Sequence, residues 1–445
     1  MHDRMQSRTG WSRLRTASFL AFFAASTAGA AEISPAVTEA YAAMAGHASV
    51  KTALAFIKAD EARTLAEQKQ IVAIPAPPFK EARRAEDFRQ RLAAAGLANA
   101  RIDKEGNVIA VRPGRGGGPK LVVSAHLDTV FPENTDLTVT EKNGRLYAPG
   151  IADDTRGLVE LLSLVRALDA AKIETVGDLW FVGTVGEEGL GDLRGVRALF
   201  AEHRNFDGFI SIDGSTPERI TYIAVGSNRY RVSFSGPGGH SFGAFGRPSA
   251  IHAMGRAIAK IAELRPPAKP KTTFTVGTVA GGTSINSIAG DAVFELDMRS
   301  VGMDALLAFE AQALQAIRTA VDEENARWKH ERQVSVNIEP VGSRPAGSQA
   351  ADAPIIQAAM LAIGSIGRKP MLEAPASTDA NLPISLGVPA LAIGRGGVSG
   401  ASHSLEEWYD AKDAYLGVQK TLLTILTLVG VDGVTQPVLA KRPSR

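Results

Sequence analysis

The sequence contains no cysteine at all. That excludes a thiolate nucleophile, a cysteine-based zinc site, a disulfide framework and a lipid-attachment cysteine. It suits an exported protein that avoids wrong disulfides. Excess charge of one sign is also missing. Lys and Arg number 49 against 47 Asp and Glu, a formal net charge of +2, so no electrostatic footprint of a nucleic-acid partner is visible. No block of like charge suggests an acidic or basic tail, and no internal repeat is found. Long apolar runs are scarce too. The longest candidate, Ala17 to Ala28, is too short to span a bilayer comfortably.

That run has the surroundings of a secretory signal. Arg4, Arg8, Arg13 and Arg15 precede it, and Ala28-Gly29-Ala30 fits an A-x-A cleavage site before Ala31. Residues 1–30 are therefore expected to be a signal peptide, and the mature chain periplasmic or secreted, with no membrane association after cleavage.

The remaining chain is too long for one compact core, so two domains are expected. Val37 to about Val72 reads as helical, and "FKEARRAEDFRQRLAAAGL" as a helix stopped by Gly96. "KLVVSAHLD", "LWFVGTVGEE" and "DGFISIDGS" read as strands. The helix "DTRGLVELLSLVRALDAA" between the first two places Leu158, Leu161, Leu162, Val165 and Leu168 on one face. This alternation predicts a doubly wound, largely parallel α/β sheet. From residue 224 the order becomes β-α-β-β-α-β, that of a ferredoxin-like split βαβ module. The α/β pattern resumes with "APIIQAAMLAIG", "PALAIG" and a closing helix near "YLGVQKTLLTILTLV". The expected organisation is a catalytic domain of residues 31–223 and 341–445 with residues 224–340 inserted.

Of the 8 histidines, His126, His240 and His403 stand in loop-like contexts with Gly or Ser neighbours. His126 follows a strand and precedes Asp128 by two, so both side chains are expected on one face. Asp153 and Asp154 stand just before a helix, where a plain N-cap pair is the simpler reading. Glu187 and Glu188 end an apolar strand; such neighbouring carboxylates shift one another's pKa unless a cation compensates. Asp213 also ends an apolar strand, and His403 follows "PALAIG". Each element alone is a weak signal. Their common position, past strand C-termini or at a helix start beside them, is the edge where open α/β sheets bind ligands. A set of histidines and carboxylates without cysteine suits zinc, manganese or cobalt, and two ions bridged by one carboxylate would use it fully.

The motifs "SAHLDTV", "GIADDTRG", "GEEGLGD", "SIDGS", "GPGGHS", "GTSINSI", "STDANLP" and "GASHSLEE" occur in that order along nearly all of the mature chain. In this the chain resembles the di-zinc metallopeptidase family that includes glutamate carboxypeptidase, peptidase T and acetylornithine deacetylase. The resemblance implies His126 and Asp213 as ligands of one zinc, Glu188 and His403 as ligands of the other, and Asp153 as the bridge, with a cis peptide to Asp154. It implies Asp128 as the partner that orients His126 and Glu187 as general base for a metal-activated water. The inserted module resembles a lid and dimerisation domain, so a homodimer is expected, with His240 reaching a partner's site. Asn286 and Arg344 match substrate-contacting positions, and the "GRGG" loop Gly394–Gly397, Gly396 included, is expected to line the pocket through its backbone. Thr155-Arg156 replaces the usual Lys, at positions that carry no implied ligand. Asp rather than Glu at position 213 tilts the expectation towards peptides over acylated amino acids. The expected activity is hydrolysis of small peptides by an exopeptidase. The alternatives are an N-acyl amino acid deacylase and a non-catalytic peptide-binding homologue.

Overall fold

The computed structural model describes residues 33–443; the expected signal peptide lies outside the described residues. The central sheet has eight strands, in the spatial order Arg101–Ile102, Val108–Arg112, Asp178–Thr184, Lys120–His126, Gly208–Ile212, Ala390–Ile393, Arg219–Thr221, Met371–Leu372. Its four middle neighbours, from Asp178–Thr184 to Ala390–Ile393, are mutually parallel; antiparallel pairs lie outside them. Four parallel strands side by side put four C-terminal ends on one edge, and this geometry makes the site possible.

Both faces of the sheet are covered. Along Lys120–His126, Leu121, Val123 and Ala125 join one apolar core with helices Ala48–Val72, Thr155–Ala170, Pro354–Ser365 and Tyr415–Val429. Val122 points the other way, into a second core with helix Arg194–Glu202. Burial on both faces explains the near-continuous apolar run of this strand.

Two expectations about helices need correction. The first long helix is two, Pro35–Gly46 and Ala48–Val72, separated at His47, whose backbone is extended (φ −69°, ψ 142°). Pro35 favours the start of the first, next to the Ser34 cap. Helix Thr155–Ala170 is not one-sided: every residue from Thr155 to Leu168 is buried, because other helices pack around it as well as the sheet. Its polar residues, Arg156, Glu160, Ser163 and Arg166, are therefore buried too, and Arg156 and Arg166 find ion-pair partners in Glu61, Glu160, Asp60 and Glu67.

A second sheet is antiparallel throughout, in the order Thr272–Gly281, Asp291–Ser300, Gly226–Ser235, Ser335–Arg344. With helices Ala250–Glu263 and Met303–Trp328 on one face it has the split βαβ arrangement, and its own core is built around Phe234, Phe294, Leu296 and Phe309. A smaller antiparallel sheet, Val398–Gly400, Trp408–Asp410, Arg145–Tyr147 and Thr140–Lys142, was not legible in the sequence. Its strands are three residues each, too short to show a period of two.

Candidate metal centre

At the C-terminal edge of the parallel strands, His126, Asp153, Asp213, Glu187, Glu188 and His403 converge. His126 is the last residue of its strand and is buried. Its backbone N–H donates to Asp154 Oδ2 (2.9 Å), and its Nδ1 lies 3.0 Å from the Asp128 carbonyl oxygen. A carbonyl only accepts, so Nδ1 carries a proton, while Nε2 faces Asp153 Oδ1 at 3.1 Å. Asp128 thus fixes His126 through its main chain. Its carboxylate, 3.7 Å from Nδ1, accepts the N–H groups of Glu187 (3.1 Å) and Glu188 (2.8 Å). One buried acid ties the end of the His126 strand to the loop that carries both glutamates.

Asp153 lies at the centre. Its Oδ1 faces His126 Nε2, and its Oδ2 lies 3.3 Å from His403 Nε2. His403 Nε2 is in turn 2.9 Å from Glu188 Oε1. The donor atoms form three groups, each with its atoms within 4.8 Å of one another: His126–Asp153–Asp213 and Asp153–Glu188–His403, which share Asp153, and His126–Glu187–Glu188. The peptide Asp153–Asp154 is cis. Asp154 is the N-cap of the following helix, accepting from Gly157 N–H at 3.2 Å, so the capping and ligand readings divide between the two aspartates.

The electrostatics call for a cation. Burial is the largest influence on Glu187 and raises its pKa well above the ordinary value; Arg344 opposes this and Glu188 adds to it. Burial, then Asp153, likewise raises Asp213. Burial alone would lower His126, but its hydrogen bond to Asp153 and the charges of Asp154, Asp153 and Asp128 leave it well above the usual histidine range. Hydrogen bonds to Asp153 and Glu188 push His403 up to about 10. The raised pKa values of His126 and His403 favour their protonated forms, whose charge adds to that of Arg344 and Arg395 among the buried carboxylates. A divalent ion in each donor group that shares Asp153 would replace those protons, and the oxygen and nitrogen donor set fits such ions.

A cavity of about 330 Å³ opens beside the cluster, lined by Asp153, Glu187, Glu188, Asp213 and His403 and also by Arg219, Arg229, Arg299, Arg344 and Glu373. Arg344 Nη1 is 3.2 Å from Glu187 Oε1, and Nη2 donates to the Glu187 carbonyl. Arg229 and Arg299 flank Asp297 at 2.9 and 2.7 Å. Another cleft, of about 430 Å³ around Phe200, Leu382 and Val388, is lined by no acid or histidine and offers no ligand set.

Two expected substrate contacts, Asn286 and Gly396, are not at this cavity, and His240, expected to reach a partner's site, lies away from this chain's own. His240 and Asn286 are exposed on a separate ribbon, where His240 pairs with Ser287 and Ser241 N–H donates to the Asn286 carbonyl (2.9 Å). Gly396 requires a correction: it does not line the pocket but is buried, its N–H donating to Glu160 Oε1 and its carbonyl accepting from Tyr409 OH (2.9 Å). A Cβ there would lie 1.9 Å from the Ala414 oxygen, so close packing is what this glycine permits.

Two residues near the cluster were missed. Glu407, fully buried, accepts from Gly150, Ala152 and Asp153 N–H, each at 3.0 Å, and so holds the loop that presents Asp153. Arg395, inside the "GRGG" loop, contacts Asp153 and Asp213. A lone charged residue among glycines directly after a buried strand was the available signal for Arg395. For Glu407, four residues after His403, there was none beyond proximity.

The chain matches the model of peptidase family M20/M25/M40 over residues 122–427. It belongs to that family. Among curated relatives it is 33% identical to an acetylornithine deacetylase of Myxococcus xanthus over 243 residues, 48% of this chain and 61% of that protein. The chain thus spans about 60% of the length of that relative. Among solved structures it resembles aminopeptidase PepT from Bacillus cereus (TM-score 0.67, 23% identity, 82% of this chain and 98% of that one). It also resembles the Bacillus subtilis YxeP protein, described as a dinuclear metal-binding peptidase of the M20 family (TM-score 0.62, 17% identity, 84% and 99%). At these identities the structural likenesses speak for the fold.

Proposed function

We propose that this chain is a dinuclear-metal exopeptidase that hydrolyses the amide bonds of small peptides, with zinc as the metal and cobalt or manganese as substitutes. One observation carries the reading: the two oxygens of Asp153 face different histidines, and Glu187 stands in the same cavity. His126, Asp153 and Asp213 would hold one ion, Asp153, Glu188 and His403 the other. When bound, such ions supply Lewis acidity towards an amide carbonyl and a water.

This chain's own residues supply proton handling and binding. Glu187 takes a proton from the attacking water and gives it to the leaving amine. Burial raises its pKa, which suits a group that must both accept and release a proton, and Arg344 fixes its Oε1. The arginines along the cavity wall offer forked donors to a substrate carboxylate. A cavity of about 330 Å³ suits a ligand of dipeptide size.

Purified protein should contain about two zinc-like ions per chain. A panel of dipeptides, tripeptides and N-acyl amino acids would then show turnover of the peptides. No bound metal after reconstitution, or no turnover by the loaded protein, would overturn the proposal. Preference for N-acyl amino acids would favour the second reading, a deacylase, which the likeness to acetylornithine deacetylase supports. Retention of the whole ligand set together with Glu187 argues against a non-catalytic peptide binder. Export and homodimerisation belong to the same proposal. The arginine-then-apolar plan of residues 1–30 supports export, and a mature N-terminus near Ala31 would test it. Exposed Phe242, Phe245 and Ile285 near His240 support a homodimer, tested by mass in solution.

A further inference from the structure

Arg395 is buried against the acids of the cluster, its side chain 5% exposed. Nη1 lies 3.4 Å from Asp153 Oδ1 and 3.4 Å from Asp154 Oδ1, and Nη2 lies 3.2 Å from Asp213 Oδ1. Nε donates to the Gly214 carbonyl at 2.9 Å, and Nη1 also donates to that of Ala152. The guanidinium therefore spans Asp153 and Asp213, two of the three donors in the His126–Asp153–Asp213 group.

The loop that carries it has no slack. Lys420 Nζ donates to the Gly394 carbonyl, and both sides of Gly396 are held, by Glu160 and by Tyr409. Lys420 and Glu160 are fully buried and Tyr409 nearly so. A Cβ at Gly394 would lie 1.5 Å from the Thr216 oxygen, so the loop also fits tightly against the chain after Asp213. Burying the charges of Lys420 and Glu160 is costly unless each has a partner; both bond to backbone atoms of the arginine loop, and Glu160 also pairs with Arg156.

We propose that Arg395 is a positioning residue of the metal centre, a built-in cation that holds the Asp153 and Asp213 carboxylates in their ligating places before metal arrives. It stands in for part of the metal's charge. This rests on the dinuclear reading above. Like charges packed in a buried site repel unless a cation lies among them, and a cation fixed by the fold remains when the ions leave. The metal-free protein thereby keeps its site formed. The ions gain less on binding than they would in a site without Arg395, because part of the repulsion they relieve is already relieved.

The test uses Arg395→Met and Arg395→Lys in the full mature chain, each compared with wild type in metal-free and Zn²⁺-loaded form. Thermal melting of metal-free Arg395→Met should fall by roughly 5 °C, with a smaller fall in the loaded form. Zn²⁺ affinity, read by competition with a chromophoric chelator, should tighten by about tenfold, since what destabilises only the metal-free state favours binding. Arg395→Lys keeps the charge and should stay near wild type in both readings. It also serves alone if Arg395→Met does not fold; a Lys variant with the full destabilisation would then overturn the proposal. An equal fall in both forms with unchanged affinity would reduce Arg395 to loop packing and overturn it, as would weakened affinity. Failure of the dinuclear reading is separate: wild type itself would then bind no Zn²⁺.

Discussion

Glu187→Gln isolates proton transfer from the rest of the site. Gln keeps the size of Glu, and its amide oxygen can still accept from Arg344 Nη1, now 3.2 Å from Glu187 Oε1. The Arg344 bond to the residue 187 carbonyl and the Asp128 hold on its N–H use main-chain atoms and are untouched. Glu187 belongs to neither donor group that shares Asp153, so both stay complete. What is lost is a carboxylate able to accept a proton. A positioned general base contributes about 10²–10⁴ in rate, or roughly 3–5 kcal/mol of barrier. We expect kcat to fall by that factor with KM changed by less than about threefold, since the arginine wall remains. The assay is steady-state hydrolysis of the best peptide found, with metal content measured on the same samples. A variant that retains two ions per chain and turns over within tenfold of wild type would refute the reasoning. Lost metal would instead mean that Glu187 helps to hold the ions.

Other expectations follow from the same geometry. Glu407→Ala leaves three backbone N–H groups without their buried acceptor, at about 1–3 kcal/mol for each that water does not reach. Zn²⁺ affinity should drop as the Asp153 loop loosens, and an unchanged chelator competition would contradict this. Loading metal at pH 7 should release up to about two protons, because His126 and His403 titrate above their ordinary range when metal-free. By the same sign, raised His403 stabilises the metal-free fold below the unfolded histidine pKa, and this contribution is lost as pH rises towards about 10. Calorimetry in buffers of different ionisation enthalpy would detect the protons, and their absence would refute the assignment. His240→Ala should lower kcat without changing metal content if a partner subunit uses that exposed side chain; an unaffected rate removes it from the reaction.

The sequence made the doubly wound sheet and the split βαβ order readable, because apolar periodicity reports burial strand by strand and helix by helix. Motif order made the family resemblance, and with it the candidate ligand set, readable too. It misjudged His47 and the helix Thr155–Ala170: a break needs knowledge of local backbone angles, and all-round burial depends on neighbours far along the chain. It placed Gly396 at the pocket because a glycine has no side chain to declare its surroundings.

By itself, then, the sequence determined which residues could bind metal or carry a proton, and that four apolar strands and one helix start would deliver them to a common edge. Only the tertiary structure decided that the two oxygens of Asp153 face separate histidines, that Asp128 grips the glutamate loop with its carboxylate, and that Arg395 lies among the acids. The physical reason is range. Periodicity and caps act within a few residues, whereas Glu407 meets Gly150 and Arg395 meets Asp213 across 257 and 182 positions of chain, through contacts that exist only once the sheet has formed.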